Sequence, residues 1–291
     1  MLSEGAHDGP GAGPRRAGVV GSPIAHSLSP VLHRAAYEAL GLTGWSFHRD
    51  LVEAGDLAAY VMGLPEDWAG LAVTMPLKEE ALALGDVVGE EAALVGGANT
   101  LTRHEGGWRA DNTDVHGLET ALRAAGAEEA LGAGADPRPA TVVGSGATAR
   151  SALLALRGLG VREVGLLVRD RARPETLELA QRLGMVATTS QYADGPASWG
   201  GPGVVVSTVP GGATPPVDGW SLPEGAVVFD VVYAGWPTPW AADWRVSGVH
   251  VARGDGMLLH QAVRQVRLMT GREAPVEAMS AALAAAVGPA E

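Results

Sequence analysis

The chain has 291 residues, 46% of them hydrophobic and 19% charged, which is enough apolar mass for two modest globular domains or one large one. Its formal net charge of −12 argues against a general nucleic-acid binder, whose phosphate-facing surface must be cationic. The absence of cysteine excludes disulfides, thiolate chemistry and Cys-based metal sites, and no run approaches the roughly 18–20 apolar residues of a membrane span.

Residues 1–16 are rich in glycine and proline and lack the apolar segment of a secretory signal, so a disordered tail on a cytoplasmic protein is expected. Short apolar runs then alternate with amphipathic stretches of helical length, the pattern of an α/β protein with mostly parallel strands. Strands are expected at 17–21, 46–51, 71–74, 99–102 and 108–110, and helices at 30–40, 56–62 and 76–84. Residues 126–139, rich in Gly, Ala, Asp and Pro, read as a loop or linker. A second βα series follows, with strands at 141–143, 164–168, 203–207, 227–231 and 249–252 and a helix at 150–159. Residues 257–286 read as helical, with a break at 271–275.

The loop after the first strand carries Ser27 and Ser29. Ser29 before Pro30 reads as a helix N-cap, whereas Ser27 has no such structural role and suits binding of a carboxylate or polyol. Next comes Val73-Thr74-Met75-Pro76-Leu77-Lys78. Of the 21 Lys and Arg residues, Lys78 is the only lysine. If Pro76 starts the helix, Lys78 lies in its first turn, where the dipole disfavours a positive charge but a proton-exchanging group is well placed. Both asparagines of the chain, Asn99 and Asn112, sit in the polar clusters 97–101 and 111–114 at the ends of short apolar runs. Lysine, serines, asparagines and Asp114 at strand ends suggest a pocket for a small acid with several hydroxyls.

Farther along, Gly144-Ser145-Gly146-Ala147-Thr148-Ala149 fits a dinucleotide fingerprint between a β-branched run and a helix. Gly144 permits the tight turn, Gly146 lets the backbone approach a pyrophosphate, and Ala149 lets the helix pack on the strand. About 20 residues on, at the next strand end, stand Arg169, Asp170, Arg171 and Arg173. The arginines suit the 2′-phosphate of NADP, while Asp170 keeps NAD as the alternative.

Seven blocks in order, at 21–30, 73–78, 98–101, 111–114, 142–150, 230–233 with 238–239, and 254–262, make the chain resemble the shikimate dehydrogenase family. The resemblance implies a discontinuous α/β substrate-binding domain, over 17–115 and 256–287, and a Rossmann-type NADP domain over 116–255. It implies that Ser27 and Ser29 bind the substrate carboxylate, and that Thr74, Asn99, Asp114 and Gln261 bind ring hydroxyls, with Tyr233 nearby. Lys78 and Asp114 match the catalytic pair. Arg169 and Arg173 match the 2′-phosphate positions, Thr208 a cofactor-binding position, and Gly254 the loop near the nicotinamide. The family often has Asn at Ala72, usually Asn at Val168, Thr at Asp170, and Asn-Ala-Thr at Ser207-Thr208-Val209.

The implied function is reduction of 3-dehydroshikimate to shikimate with NADPH, without a metal, in the shikimate (chorismate) pathway to aromatic amino acids. The expected partner is a small molecule, with neither nucleic acid nor membrane, and the protein is a monomer or homodimer. Two alternatives stand beside it: a quinate or aminoshikimate dehydrogenase, and a nucleotide-binding sensor without catalysis.

Overall fold

The structure is a computed structural model, and it describes residues 14–132, 137–193, 201–216, 220–246 and 248–288. Their secondary structure runs β1 (Arg15–Gly21), α1 (Ser29–Ala39), β2 (Trp45–Leu51), α2 (Leu57–Met62), β3 (Trp68–Val73), α3 (Lys78–Ala83), β4 (Val87–Val88), α4 (Glu90–Val95), β5 (Thr100–His104) and β6 (Gly107–Asp111). It continues with α5 (Asp114–Ala124), α6 (Ala127–Leu131), β7 (Ala140–Val143), α7 (Ala147–Gly158), β8 (Glu163–Val168), α8 (Pro174–Arg182), β9 (Val186–Gln191) and β10 (Val204–Ser207). The last elements are β11 (Val227–Asp230), α9 (Pro239–Val246), β12 (His250–Arg253), α10 (Asp255–Thr270) and α11 (Val276–Val287). Among the described residues no helix is long and apolar enough to cross a membrane.

The expected strands are all present, within a few residues at their ends. Four expectations need correction. The first strand begins at Arg15, inside the expected tail, because Arg15 and Arg16 pair with Trp45 and Ser46 of β2; the rest of that tail, 1–13, lies outside the described residues. The expected linker holds helix α6, whose Ala127, Ala130 and Leu131 are buried; three apolar contacts outweigh the flanking glycines. Pro76 does not start its helix: residues 75–77 form a turn, and α3 opens at Lys78. Ser29 is not an N-cap: it is the first residue of α1, and the Ser27 hydroxyl accepts its backbone N–H at 3.3 Å. Expectation also missed the short or polar elements β4, α4, α8, β9 and α9, and α5 behind the second asparagine.

The chain divides into two compact units. The first comprises residues 1–89, 98–111 and 262–286; the second comprises 90–97, 112–261 and 287–291. In the first unit the sheet order is β2-β1-β3-β5-β6-β4. Strands β2, β1 and β3 are parallel, but β5 runs antiparallel to both β3 and β6, so this sheet is mixed. Strand β3 is buried along its whole length, and Gly70 within it leaves room for Met269 of α10. A Cβ at Gly70 would lie 2.7 Å from Met269 Cγ, so the helix crosses this strand at a missing side chain.

In the second unit all six strands are parallel, in the order β12-β11-β10-β7-β8-β9. Strands β7, β8, β10 and β11 are mostly apolar and buried throughout except at Glu163, as burial on both faces demands. Alternate residues feed two cores. Val142, Leu166, Val206 and Phe229 pack on one face with residues of α5, α6 and α7. Val143, Leu167, Val205 and Val228 pack on the other with Trp240 and Trp244 of α9. Counted from β7, the order is 3-2-1-4-5-6 reversed about its centre, the doubly wound Rossmann arrangement with its switch point between β7 and β10.

Candidate active site

In the first unit, topology collects the expected residues at one sheet edge. Parallel strands β1 and β3 both end there, at Gly21 and Val73, and antiparallel β5 starts there at Thr100. Backbone bonds tie the three exits together: Thr74 N–H to Val20 O at 3.0 Å, Val73 N–H to Asn99 O at 2.7 Å, and Ser22 N–H to Met75 O at 2.9 Å. Ala98 N–H donates to Lys78 O at 2.8 Å, which fixes the first residue of α3 against the entry to β5. Ser27, Ser29 and Asn99 are buried, while Thr74 and Lys78 are half-buried. Arg49 of β2 donates to the Ser27 carbonyl at 2.6 Å and steadies the serine loop. Lys78 leads α3, with Glu79 and Glu80 behind it in the same turn.

In the second unit Asp114 is the first residue of α5 and is 4% exposed. Asn112 is a structural residue. Its Oδ1 accepts Asp114 N–H at 3.0 Å, and its Nδ2 donates to Gly97 O at 2.8 Å. The Asx turn therefore satisfies a helix-start donor and sets where Asp114 stands. Gly117, one turn on, lets α10 approach: a Cβ there would lie 2.7 Å from Met257 O and 3.1 Å from Gln261 Cβ. Asp114 and Gln261 thus belong to one packed helix pair. Gln261 is buried and donates to Leu258 O at 2.9 Å.

The glycine loop lies at the switch point. Gly144 has φ +109°, and a Cβ on it would meet Thr208 Oγ1 at 2.6 Å. Thr208 in turn donates to Val143 O at 2.8 Å, so β10 closes on β7 directly behind the turn. Gly146 caps α7, and its Cβ direction meets no protein atom within 4 Å, which leaves an open cradle over the helix start. Ala149 is fully buried against the sheet core. Ala147 and Thr148 form the first turn of α7 and are half-buried. Ser145 Oγ accepts Arg173 N–H at 3.2 Å, and Ser145 O accepts the Thr176 hydroxyl at 2.7 Å. These bonds dock the arginine-bearing loop beside the glycine loop. Arg169, Asp170, Arg171 and Arg173 are exposed on it. Arg169 lies near Tyr192, where its charge opposes the rise that burial gives the phenol pKa. An open glycine turn, a helix N-terminus and exposed arginines fit a dinucleotide with an extra phosphate.

The remaining expected residues follow β11 and β12. Tyr233 is half-buried after β11, and Gly254 precedes α10, where any Cβ would collide with the Val231 carbonyl. Asp230 and Thr238 explain the 230–239 block: the Thr238 hydroxyl donates to Asp230 Oδ2 at 2.8 Å and accepts Ala241 N–H at 3.1 Å, capping α9. Burial raises the Asp230 pKa, opposed by the bonds from Val232 and Thr238. Sequence reasoning missed His33, Thr100 and Gln265, buried polar residues around Asn99; a polar residue on an otherwise apolar helix face was the available signal.

The doubly wound sheet and its glycine turn define a Rossmann-type nucleotide-binding protein, with a second α/β unit carrying polar groups at a strand-end edge. The chain belongs to the shikimate dehydrogenase family. Residues 19–101 match the family model described as the shikimate dehydrogenase substrate binding domain, and residues 254–284 match the shikimate 5′-dehydrogenase C-terminal domain. A shikimate dehydrogenase (NADP(+)) from a Ruegeria species is 38% identical over 255 residues, covering 85% of this chain and 89% of that protein. The crystal structure of Mycobacterium tuberculosis shikimate dehydrogenase superposes with a TM-score of 0.80 at 41% identity, covering 94% of this chain and all of that one. The Thermus thermophilus enzyme, solved in complex with NADP(H) and shikimate, superposes with a TM-score of 0.76 at 30% identity, over 94% of this chain and 99% of that one.

Proposed function

We propose that this protein is an NADP-dependent shikimate dehydrogenase, catalysing reversible reduction of 3-dehydroshikimate to shikimate in chorismate and aromatic amino-acid biosynthesis. The observation that supports it most is the placement of the single lysine. Lys78 opens a helix at the same sheet edge that presents Ser27, Ser29, Thr74 and Asn99.

Ser27 and Ser29 bind the substrate carboxylate through their hydroxyls. Thr74, Asn99, Asp114 and Gln261 read the ring hydroxyls, with Tyr233 near them. The cofactor is held by Gly144, Ser145, Gly146, Ala147, Thr148 and Ala149, by Arg169 and Arg173, and by Thr208 and Gly254. Bound there, NADPH supplies a hydride to the substrate carbonyl. Reduction leaves an oxyanion, and Lys78 Nζ gives it a proton; in the reverse direction the lysine takes that proton back. Asp114, whose position the Asn112 turn fixes, is the second member of the catalytic pair and shares the substrate hydroxyl.

A second reading is a quinate or aminoshikimate dehydrogenase using NAD or NADP; the feature that favours NAD is Asp170, exposed among the arginines where NAD sites place a carboxylate. One assay matrix separates the readings. Initial rates with shikimate and quinate, each against NADP+ and NAD+, should be highest for shikimate with NADP+. Highest rates with quinate and NAD+ would transfer the assignment to the second reading, and no turnover in any cell would leave a nucleotide-binding sensor.

A further inference from the structure

Behind Asn99 lies a line of buried polar groups whose directions can be worked out from one fixed point. Gln265 Nε2 is 3.1 Å from the Asn99 carbonyl oxygen and 3.0 Å from Thr100 Oγ1. A carbonyl oxygen can only accept, so the nitrogen end of the Gln265 amide must face β5. Its Oε1 therefore faces His33, at 3.3 Å from Nε2. That ring nitrogen must carry the proton, which makes His33 a donor to Gln265. Thr100 Oγ1 accepts from Gln265, and its own hydroxyl donates to Asn99 Oδ1, at 2.8 Å.

Each bond thus runs in one direction, from His33 to Gln265 to Thr100 to Asn99. Their exposures are 0%, 1%, 0% and 2%, so bulk water cannot reverse any member. The ring of His33 is locked as well: it stacks on Phe47 with centroids 4.0 Å apart and planes 18° from parallel. Its Nδ1 has no hydrogen-bond partner, as suits the nitrogen that carries no proton.

We propose that His33, Gln265 and Thr100 are positioning residues that set the amide of Asn99, committing its oxygen inward so that its N–H edge is the one offered to a ring hydroxyl of the substrate. This rests on the reading above that Asn99 meets the substrate. An asparagine amide turned by 180° would offer an acceptor instead of a donor, and the side chain's own shape does not choose between the two. The relay makes that choice, and so sets which hydroxyl lone pair the pocket recognises.

Thr100→Val keeps the volume and removes the hydroxyl, while Gln265→Met removes the link above it. Each should raise the KM for shikimate roughly tenfold, the worth of one lost or mis-set hydrogen bond, with the KM for NADP+ and the Tm little changed. Thr100→Ser should restore the wild-type KM within about twofold, since the hydroxyl returns. The deciding measurement is a double-mutant cycle: on an Asn99→Ala background, Thr100→Val should add nothing further to KM. Multiplying effects on that background, or an unchanged KM in both Thr100→Val and Gln265→Met, would overturn the relay. An unchanged KM in Asn99→Ala alone would instead remove Asn99 from the site, so failure of the underlying reading is told apart. If Thr100→Val does not fold, Gln265→Met carries the same cycle.

Discussion

The parallel sheet around β7 and the mixed sheet around β3 both gather their functional groups at one edge, but they build that edge from different material. In the parallel sheet the work falls on backbone. Gly144 turns the chain and Gly146 leaves the helix start open, so peptide N–H groups are what this edge presents. In the mixed sheet the antiparallel β5 brings Asn99 to the edge where β1 and β3 bring Ser27 and Thr74, so this edge presents polar side chains. A backbone site tolerates many neighbours but few substitutions at its glycines. A side-chain site depends on what stands behind each group.

The sharpest break in that comparison is Lys78→Ala. Removing the proton donor should lower kcat by roughly 10²–10⁴-fold, the usual worth of positioned acid–base catalysis. The backbone site should not notice: the variant should retain the wild-type Tm and the wild-type NADPH affinity by fluorescence titration. Near-normal turnover would remove Lys78 from the chemistry.

The same contrast decides what could be read in advance. The glycine turn was legible because spacing encodes it: β-branched runs, then G-x-G-x-x-A, then a helix, with charge at the next strand end; the Rossmann-type domain was expected only through the family resemblance. The side-chain residues were legible only as polar groups at strand ends, and their order along the chain linked them. Three things were not legible. The start of α3 fell two residues beyond Pro76, after a turn over residues 75–77 that the proline alone does not reveal. Helix α6 depended on burial of three small apolar residues within a glycine-rich stretch. His33 and Gln265 lie 232 positions apart, so no local pattern could pair them.

His33 offers the next test, now on stability. Burial outweighs its bond to Gln265 and lowers its pKa from 6.5 to about 4. The neighbouring ionisable ring, Tyr37, is itself held neutral by burial, which raises its pKa. Between pH 6.5 and 4 the unfolded chain binds a proton that the folded protein does not, so stability falls as pH drops through that window. The loss should reach about 2 kcal/mol by pH 5. Denaturant melts at pH 7 and pH 5 should show a smaller acid loss in His33→Gln than in wild type. An equal loss in both would mean that other groups account for it.

The two glycines of the turn should separate structure from binding. At Gly144 the φ of +109° and the nearby Thr208 hydroxyl penalise any side chain. Gly144→Ala should therefore cost about 1–3 kcal/mol of stability, visible as a lower Tm, and weaken NADPH binding as well. Gly146 has an ordinary φ of −86° and open space ahead of it. Gly146→Ala should leave the Tm unchanged and still weaken NADPH binding, because its methyl occupies the pyrophosphate's approach. Equal NADPH affinity in Gly146→Ala and wild type would mean that the cradle is not where the cofactor lies.

The smallest expected effect concerns the arginines beside the glycine turn. Arg173 is anchored through its own N–H to Ser145, and its exposed charge stands with Arg169 on the same loop. Exposure screens these charges, so removing both should raise the KM for NADP+ about tenfold, near the low end for charged hydrogen bonds. The KM for NAD+, which has no 2′-phosphate, should stay within about twofold. Asp170 pushes the other way, since a carboxylate beside that phosphate repels it while accepting from a free ribose 2′-hydroxyl. Asp170→Thr should therefore tighten NADP+ and loosen NAD+, and the ratio of kcat/KM for the two cofactors reads both changes at once. If that ratio moves with the arginines but not with Asp170, the phosphate is held by the guanidinium groups alone and the carboxylate is only part of the turn.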